Sequence, residues 1–215
     1  TAKYYIPSGR CIQAIDYSHR NEDGSVGRVP DSLTTEFKTR NGRTVRDGGG
    51  IVPDITITDD RKLNIAYYIF AQNLYFDFAT EFVSKTPSIA KASDFVLSEE
   101  DFKAFTDFLV QKNFTYTSQT QKYYNELFEM AKMEGLDEVA KAEFDSLKEK
   151  LLPDVRKNIV DNKSEIAELL SLEIIKRYYF QKGEVEFSLR TDKALKSALE
   201  KMNDTMAMSE ILKTK

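Results

Sequence analysis

The sequence predicts an α+β fold that is predominantly α-helical, in which a small antiparallel β portion is followed by a helical domain. First, residues 1–58 contain short runs rich in tyrosine, isoleucine and threonine that are separated by turn residues. Second, the composition changes at Asp59-Asp60. Third, apolar residues recur at helical spacing from residue 61 onward. We therefore predict one domain over residues 1–58 and a second, α-helical domain over residues 59–215.

Composition and charge limit the classes of function. Hydrophobic residues make up 41% of the 215 residues, which is enough for a sizeable core. The formal net charge of −4 argues against nucleic acid as a partner, because nucleic acid requires a basic surface. The single cysteine, Cys11, excludes an internal disulfide and a cysteine-based metal site, and its apolar run predicts a buried, inert thiol. The longest apolar block, residues 65–71, is too short to cross a bilayer, so no transmembrane segment is predicted.

The first β elements are two strands, residues 2–6 and 11–15, on either side of Pro7-Ser8-Gly9. Proline presets φ in such a turn, and glycine tolerates a positive φ. Residues 16–33 are polar and contain several turn formers, which predicts a surface loop.

A hairpin is predicted next, because residues 35–39 and 43–46 flank Asn41-Gly42, and Asn-Gly is the strongest short hairpin signal. The run of glycines from Gly48 to Gly50 predicts a hinge where the backbone passes close to another group. Residues 51–58 are predicted to return as a third strand.

The helical part opens with residues 61–84, which are apolar on nearly all faces and predict one buried central helix. Ser98 and Ser118 predict the N-caps of the next two helices, the second with Gln121 in a capping box. Gly135 separates the second of these from a helix over residues 136–151.

Pro153 ends that run and predicts the start of a helix from residue 154 to about residue 180. Residues 184–190 alternate like a strand but also fit a continuing helix, and we favour the helix because no partner strand lies nearby. Residues 194–202 and 206–212 predict two short amphipathic helices.

Two motifs carry a family resemblance. The first thirteen residues read Thr-Ala-Lys-Tyr-Tyr-Ile-Pro-Ser-Gly-Arg-Cys-Ile-Gln, and residues 50–55 read Gly-Ile-Val-Pro-Asp-Ile. This pair resembles the carboxy-terminal processing, or tail-specific, serine peptidases, in which the same two motifs occur in this order with an insertion between them. The resemblance covers the first quarter of the chain. It assigns a structural role to the motif residues Tyr4, Tyr5, Pro7, Gly9, Arg10, Gln13, Gly50, Pro53 and Asp54.

The resemblance implies that the parent protein is a hydrolase that cuts proteins near their C-termini with a serine-lysine dyad, without a metal or another cofactor. In that family both dyad residues lie upstream of the first motif. We therefore expect no catalytic residue in this fragment, no activity of the fragment alone, and residues 1–58 to be the end of the peptidase core domain. An upstream domain, usually of PDZ type, would engage the protein or peptide substrate. The family also implies a periplasmic or cell-envelope location, although no signal peptide is visible in the sequence.

Several residues allow a functional and a structural interpretation. Ser8 and Lys3 could be mistaken for a nucleophile and its base, but we favour a turn residue and an ordinary lysine. His19 lies near Asp16, Glu22 and Asp23 and could bind a metal, but no two-histidine spacing supports this, and we favour a solvated loop.

The basic hairpin residues Lys38, Arg40, Arg43 and Arg46 could bind an anionic partner, but a solvated edge that resists strand aggregation is favoured. Arg10 and Asp54 could shape the wall of an active site. We favour a structural ion pair between them, or turn anchors that tie the two motifs together. The aromatic residues between 67 and 78 could form a ligand pocket, but core packing is favoured; they are Tyr67, Tyr68, Phe70, Tyr75, Phe76 and Phe78.

Two classes of function stay open at this point. In the first, the chain is the C-terminal part of a serine endopeptidase. In the second, residues 60–215 are a helical interaction or structural module that acts without catalysis. In either case we expect a homo-oligomer formed through the N-terminal strands, because unpaired strands with apolar faces invite pairing with another chain.

Overall fold

A computed structural model describes residues 3–14, 29, 31–58 and 63–212. It confirms the α+β fold class, with many helices and one two-stranded antiparallel sheet in the described part of the chain. The chain divides into two compact units. Unit 1 comprises Thr1–Asp59 together with Asp192–Lys215, and unit 2 comprises Asp60–Thr191. The predicted surface loop falls almost entirely outside the described residues, as does His19 with its acidic neighbours.

Unit 1 contains the predicted hairpin. Strands β1 (Glu36–Lys38) and β2 (Thr44–Arg46) pair antiparallel, with Phe37 opposite Val45. The turn between them places Gly42 at φ +78°, and its N–H donates to the Thr39 carbonyl oxygen at 2.9 Å. A short 3₁₀ turn at Asp31–Leu33 precedes the hairpin. The Asn-Gly prediction is therefore confirmed.

The other three predicted strands are wrong over the described residues. Residues 3–14 form a tight turn closed by a single β-bridge between Tyr5 and Cys11, in which the Ile6 N–H donates to the Arg10 carbonyl oxygen at 3.0 Å. Residues 51–58 form no strand. The physical reason is that β propensity describes a side chain suited to a pleated surface, while a strand also needs a hydrogen-bonding neighbour. Cys11 is half-buried, so the prediction of a buried thiol is also wrong.

The glycine run makes the close approach that was predicted. Gly48 and Gly50 both have a positive φ, of +76° and +73°. A Cβ added at Gly50 would lie 3.0 Å from the Ala14 Cβ atom. Both the left-handed backbone and the lack of a side chain are therefore needed where the second motif passes the end of the first.

Unit 2 is helical. Its helices are α1 (Ile65–Ala71), α2 (Leu74–Lys85), α3 (Glu99–Gln111), α4 (Gln119–Glu134), α5 (Lys141–Leu151), α6 (Val155–Asp161) and α7 (Lys163–Ser188). Two further helices, α8 (Lys193–Asn203) and α9 (Thr205–Leu212), belong to unit 1 and confirm the short C-terminal helices. Within the described residues, no helix combines the length and the apolar character needed to cross a membrane.

The core of unit 2 forms where α2 packs on α7, with α1 and α3 beside them. The Phe78 ring lies 5.1 Å from the Phe105 ring and 5.5 Å from the Phe108 ring, both edge to face. Burying each such side chain contributes about 1.5–3 kcal/mol. The largest fully buried side chains are Ile65, Ile69, Phe105, Leu109, Ile166, Leu170, Ile174 and Ile175.

The prediction of one buried helix over residues 61–84 is wrong in two respects. Asn73, at φ 59°, ends α1 and starts α2, since asparagine tolerates the left-handed conformation better than most residues. The helix pair is also exposed on one side, with Phe70 63% and Phe76 54% exposed. An arginine covers part of this side, because the Arg177 guanidinium lies 4.3 Å from the centre of the Phe76 ring.

The predicted N-caps at Ser98 and Ser118 are confirmed, but among the described residues the Gln121 side chain does not accept from the Ser118 N–H, so the capping box is only half formed. The hydroxyl oxygens of Ser98 and Ser118 accept hydrogen bonds from the backbone N–H groups of Asp101 and Gln121, at 3.0 and 3.1 Å. Gly135 ends α4 with φ 72°, in the left-handed conformation typical of a helix C-terminus. Each cap satisfies backbone groups that the helix itself leaves unpaired.

The single helix predicted from residue 154 to about residue 180 is wrong, because Asn162 separates α6 from α7 and α7 extends farther. Inside α7, Phe180 departs from helical geometry at φ 55° and ψ −155°. Gly183 follows this kink, and a Cβ there would overlap the Tyr179 side chain. The helical interpretation of the ambiguous segment is confirmed as far as Ser188.

Candidate functional site

The first family motif is tied to the hairpin and to the second motif by one side chain. The Arg10 Nε atom donates to the Arg46 carbonyl oxygen at 2.8 Å, and its Nη2 atom donates to the Gly50 carbonyl oxygen at 3.1 Å. A guanidinium presents several donors in a rigid fork, so one arginine can hold two backbone segments at a fixed separation.

Asp54, in the second motif, binds the hairpin rather than Arg10. Both of its carboxylate oxygens accept hydrogen bonds from the Arg43 guanidinium, and the longer of the two contacts joins Nη1 to Oδ2 at 3.3 Å. The Arg43 Nη1 atom also lies 3.5 Å from the Ile211 carbonyl oxygen at the end of α9. The expected Arg10–Asp54 ion pair is therefore replaced by two separate anchors, and each of them ends on the hairpin.

The basic side chains of the hairpin are partly neutralised. Arg46 forms an ion pair with Glu36 at 2.5 Å on the facing strand and donates to the Thr34 hydroxyl at 3.1 Å. The Arg43 side chain is 27% exposed and that of its partner Asp54 40% exposed. An exposed pair of this kind stabilises by about 1 kcal/mol or less, so these contacts set geometry more than stability. Two of the four cations that could have met an anionic partner already have carboxylate partners.

The remaining motif residues surround the tight turn. Gly9 has φ +81°, and its N–H donates to the Ile6 carbonyl oxygen at 2.8 Å. Pro7 and Ser8 are exposed in the same turn, while Tyr4 and Tyr5 are 68% and 63% exposed. Pro53 is also exposed in the second motif. The turn therefore presents an apolar surface that residues of unit 1 leave largely open.

Gln13 is the unusual member of the motif. Its side-chain oxygen Oε1 is buried and has no hydrogen-bond partner among the described residues. Gln13 and Cys11 line a cavity of about 280 Å³ together with Asp47 and the positive-φ residue Gly48. A buried amide oxygen without a donor costs free energy, which is why such groups are usually satisfied by a partner or by water.

The aromatic residues of α1 and α2 divide into three groups. Tyr75 and Phe78 lie in the core, as the packing interpretation predicts, whereas Tyr67, Phe70 and Phe76 are exposed. Tyr68 stacks on Tyr116, with 4.4 Å between the ring centres, and the pair lines a groove of about 690 Å³ on unit 2. Sequence reasoning missed this groove. The available signal was the strand-like run Phe114-Thr-Tyr-Thr117 between two helices.

No metal site is visible in the described ranges, where no group of three or more histidine, cysteine, aspartate or glutamate side chains comes together. The tight turn places Ser8 in an exposed position at the surface of unit 1. Backbone turns, held together by hydrogen bonds from arginine side chains to carbonyl and carboxylate oxygens, therefore characterise this unit.

Comparison with known families gives the class of the protein. A family model described as "Probable PDZ-protease, C-terminal helical domain" matches residues 65–202, which is more than half of the chain. The chain therefore belongs to the family of C-terminal helical domains of probable PDZ-proteases. This result confirms the resemblance seen in the N-terminal motifs, which lie outside the matched residues. No curated protein and no solved structure matches the chain.

Proposed function

We propose that the chain is the C-terminal portion of a serine endopeptidase of the carboxy-terminal processing type. Its parent would cut proteins near their C-termini with a serine-lysine dyad that lies upstream of residue 1. One observation carries the proposal. The motif pair within residues 1–55 and the helical domain matched over residues 65–202 occur in one chain, and both point to the same kind of protease.

The contacts of the motif residues suggest their role in this protease. Arg10 holds the backbone at Gly50 and Arg46, and Arg43 holds Asp54. Anchors of this kind hold the hairpin and the two motifs together within unit 1. They would act on catalysis through geometry, as positioning residues, because a catalytic group must be held close to its productive position.

The exposed apolar side chains of unit 1 fit this role. Tyr4 and Tyr5 of the first motif and Ile51 and Val52 of the second are 63–75% exposed, and exposed apolar patches often mark an interaction surface. We propose that strands of the catalytic sheet cover them in the parent. In the 215-residue chain alone, a second copy would cover them and form a homo-oligomer.

The substrate would be a protein or peptide engaged by a PDZ domain upstream of this chain, in the periplasm or elsewhere in the cell envelope. A helical interaction module without catalysis is the second candidate. An exposed apolar row on α4 favours it, since Tyr123, Leu127, Met130 and Met133 are 49–75% exposed at a spacing typical of one helix face.

The test uses the full-length gene product. Its sequence should contain a serine, followed by a lysine, upstream of residue 1. The purified protein should degrade an unfolded protein that ends in a free apolar C-terminus. The matched control is the same substrate with an amidated C-terminus, whose loss of charge should slow cleavage at least tenfold.

Equal cleavage of the two substrates would contradict the C-terminal specificity. Complete absence of peptidase activity, with the protein folded and bound to another protein, would favour the interaction module instead.

A further inference from the structure

The segment between α3 and α4 has the pattern of a strand without a partner. Its burial alternates, with Phe114 buried, Thr115 exposed, Tyr116 half-buried and Thr117 exposed. The rings of Phe114 and Tyr116 stack with 5.9 Å between their centres, as side chains two residues apart do when the backbone is extended. The residue that follows, Ser118, is extended at φ −65° and ψ 156°.

The backbone of this segment is almost unpaired. Among the described residues, the N–H groups of Thr115, Tyr116 and Thr117 donate no hydrogen bond, and the carbonyl oxygens of Tyr116 and Thr117 accept none. The Thr115 carbonyl oxygen accepts one from the side-chain amide of Gln72 at 2.9 Å. A side-chain amide is chemically the same donor as a peptide N–H. Gln72 therefore marks the edge of the segment at which a second backbone could pair. In an extended chain the N–H groups of Thr115 and Thr117 face this edge, while that of Tyr116 faces the opposite one.

A groove runs along this edge. It has a volume of about 690 Å³ and is lined by the segment itself, by Tyr68 and Gln72 of α1, by the first turn of α4 and by residues 152–155. Lys122 is the one charged side chain among its lining residues. The floor is rigid, because the Asn158 side-chain amide donates to the Tyr116 hydroxyl at 2.8 Å and the Tyr68 hydroxyl accepts from the Gln119 N–H at 3.0 Å.

We propose that this groove binds an extended segment of an unfolded polypeptide, which adds to residues 115–117 as a β-strand. The unpaired donors and acceptors select a backbone as the ligand, since main-chain hydrogen bonds give such sites their affinity whatever the side chains of the peptide are. Lys122 favours a neutral or acidic segment over a basic one. We expect this groove to bind the segment without cleaving it.

The groove fits an extended chain better than a small ligand or a folded partner. Its lining includes three consecutive residues of one backbone, and the unpaired N–H groups of Thr115 and Thr117 face the same edge. A folded protein would reach it only with an exposed strand edge, and native proteins protect such edges.

The experiment uses the 215-residue chain and a ten-residue peptide of alternating serine and valine, labelled with fluorescein at its N-terminus. Fluorescence anisotropy measures the dissociation constant. Thr117→Pro removes one unpaired N–H and should weaken binding at least fivefold. Thr117→Val keeps the backbone and should leave the constant within twofold. The same peptide N-methylated at every residue should not bind.

A second measurement covers the case in which Thr117→Pro does not fold. In the unaltered chain, saturating peptide should slow hydrogen exchange of the Thr115 and Thr117 backbone amides at least tenfold. The Tyr116 amide, which faces the opposite edge of the segment, and the amides of α5 should stay unchanged. Neither measurement depends on cleavage, so both still test the groove if the parent protein has no peptidase activity. Unchanged exchange at Thr115 and Thr117, or equal binding by the N-methylated peptide, would overturn the proposal.

Discussion

Tyr75 allows a sharp test of the packing in unit 2. Its side chain is 3% exposed, and its ring stacks on Phe105 with 5.4 Å between the centres. Its hydroxyl oxygen is buried and has no hydrogen-bond partner among the described residues. A second buried tyrosine of the same unit provides the control, since Tyr124 is 6% exposed and its hydroxyl donates to the Phe144 carbonyl oxygen at 3.0 Å.

The expected effects have opposite signs. Burying a hydroxyl without a partner costs roughly 1–3 kcal/mol, so Tyr75→Phe should raise the free energy of unfolding by about 1 kcal/mol or more. A satisfied hydroxyl contributes about 1 kcal/mol, so Tyr124→Phe should lower the free energy of unfolding by about that amount. The two substitutions remove the same atom, so the hydrogen bond is the main difference between them.

The assay is urea unfolding followed by circular dichroism at 222 nm, a signal that the helices dominate. At neutral pH, Tyr75→Phe should raise the urea midpoint and Tyr124→Phe should lower it, with unchanged slopes. A Tyr75→Phe variant that is less stable by about 1 kcal/mol would refute the reasoning, because it would mean that the hydroxyl has a partner.

Alkaline pH adds an independent check. Burial raises the pKa of Tyr75 above its usual value of 10.0, and the nearby Glu165 carboxylate raises this pKa further. The folded protein therefore keeps the phenol protonated at a pH where the unfolded chain releases the proton. The protonated Tyr75 therefore makes its full contribution to the free energy of unfolding below about pH 10, and this contribution is lost as the pH rises above that value. Tyr75→Phe should reduce the loss without abolishing it, since burial also raises the pKa values of Tyr116 and Tyr178.

Two further predictions concern unit 1. Gly50→Ala should destabilise the contacts around the hairpin by about 1–2 kcal/mol, because Gly50 combines φ +73° with a Cβ position 3.0 Å from the Ala14 Cβ atom. Gly42→Ala is the control, because Gly42 has a similar φ of +78° but no atom within 4 Å of the added Cβ, so this substitution should destabilise the hairpin less. Hydrogen exchange of the β2 amides compares the two variants. Equal effects would show that the close approach to Ala14 does not matter. The 215-residue chain should form a dimer or larger assembly in light scattering that is lost on deletion of residues 1–58. A chain that stays monomeric at high concentration, or an assembly that survives the deletion, would contradict the proposed covering of the apolar turn.

The sequence was most informative where structure depends on local chemistry. The Asn41-Gly42 hairpin and the serine caps at Ser98 and Ser118 were predictable because each depends on residues within a few positions. The helices as a class were predictable from their apolar spacing. Their breaks were not, since Asn73 and Phe180 adopt left-handed angles that the apolar pattern does not encode.

The candidate sites were less predictable, because they depend on partners far apart in the chain. The motif predicts structural roles for Arg10 and Asp54. It could not show that their partners are Arg46 and Arg43 of the hairpin rather than each other. The strands predicted over residues 2–6, 11–15 and 51–58 have suitable side chains, but their described residues have no neighbouring strand to pair with. The segment of residues 115–117 is the opposite case. Its strand-like sequence was an available signal, but only the structure shows its unpaired backbone and the groove beside it.

The central claim is that this chain is part of a serine-lysine endopeptidase, and its most direct test is the activity of the full-length product with the proposed dyad altered. Peptidase activity on an unfolded protein should fall at least a thousandfold when the upstream serine is changed to alanine, and similarly when the lysine is changed to alanine. Residues 1–215 alone should show no activity. Full activity after both changes, or turnover by residues 1–215 that survives repurification and Ser8→Ala, would contradict the claim.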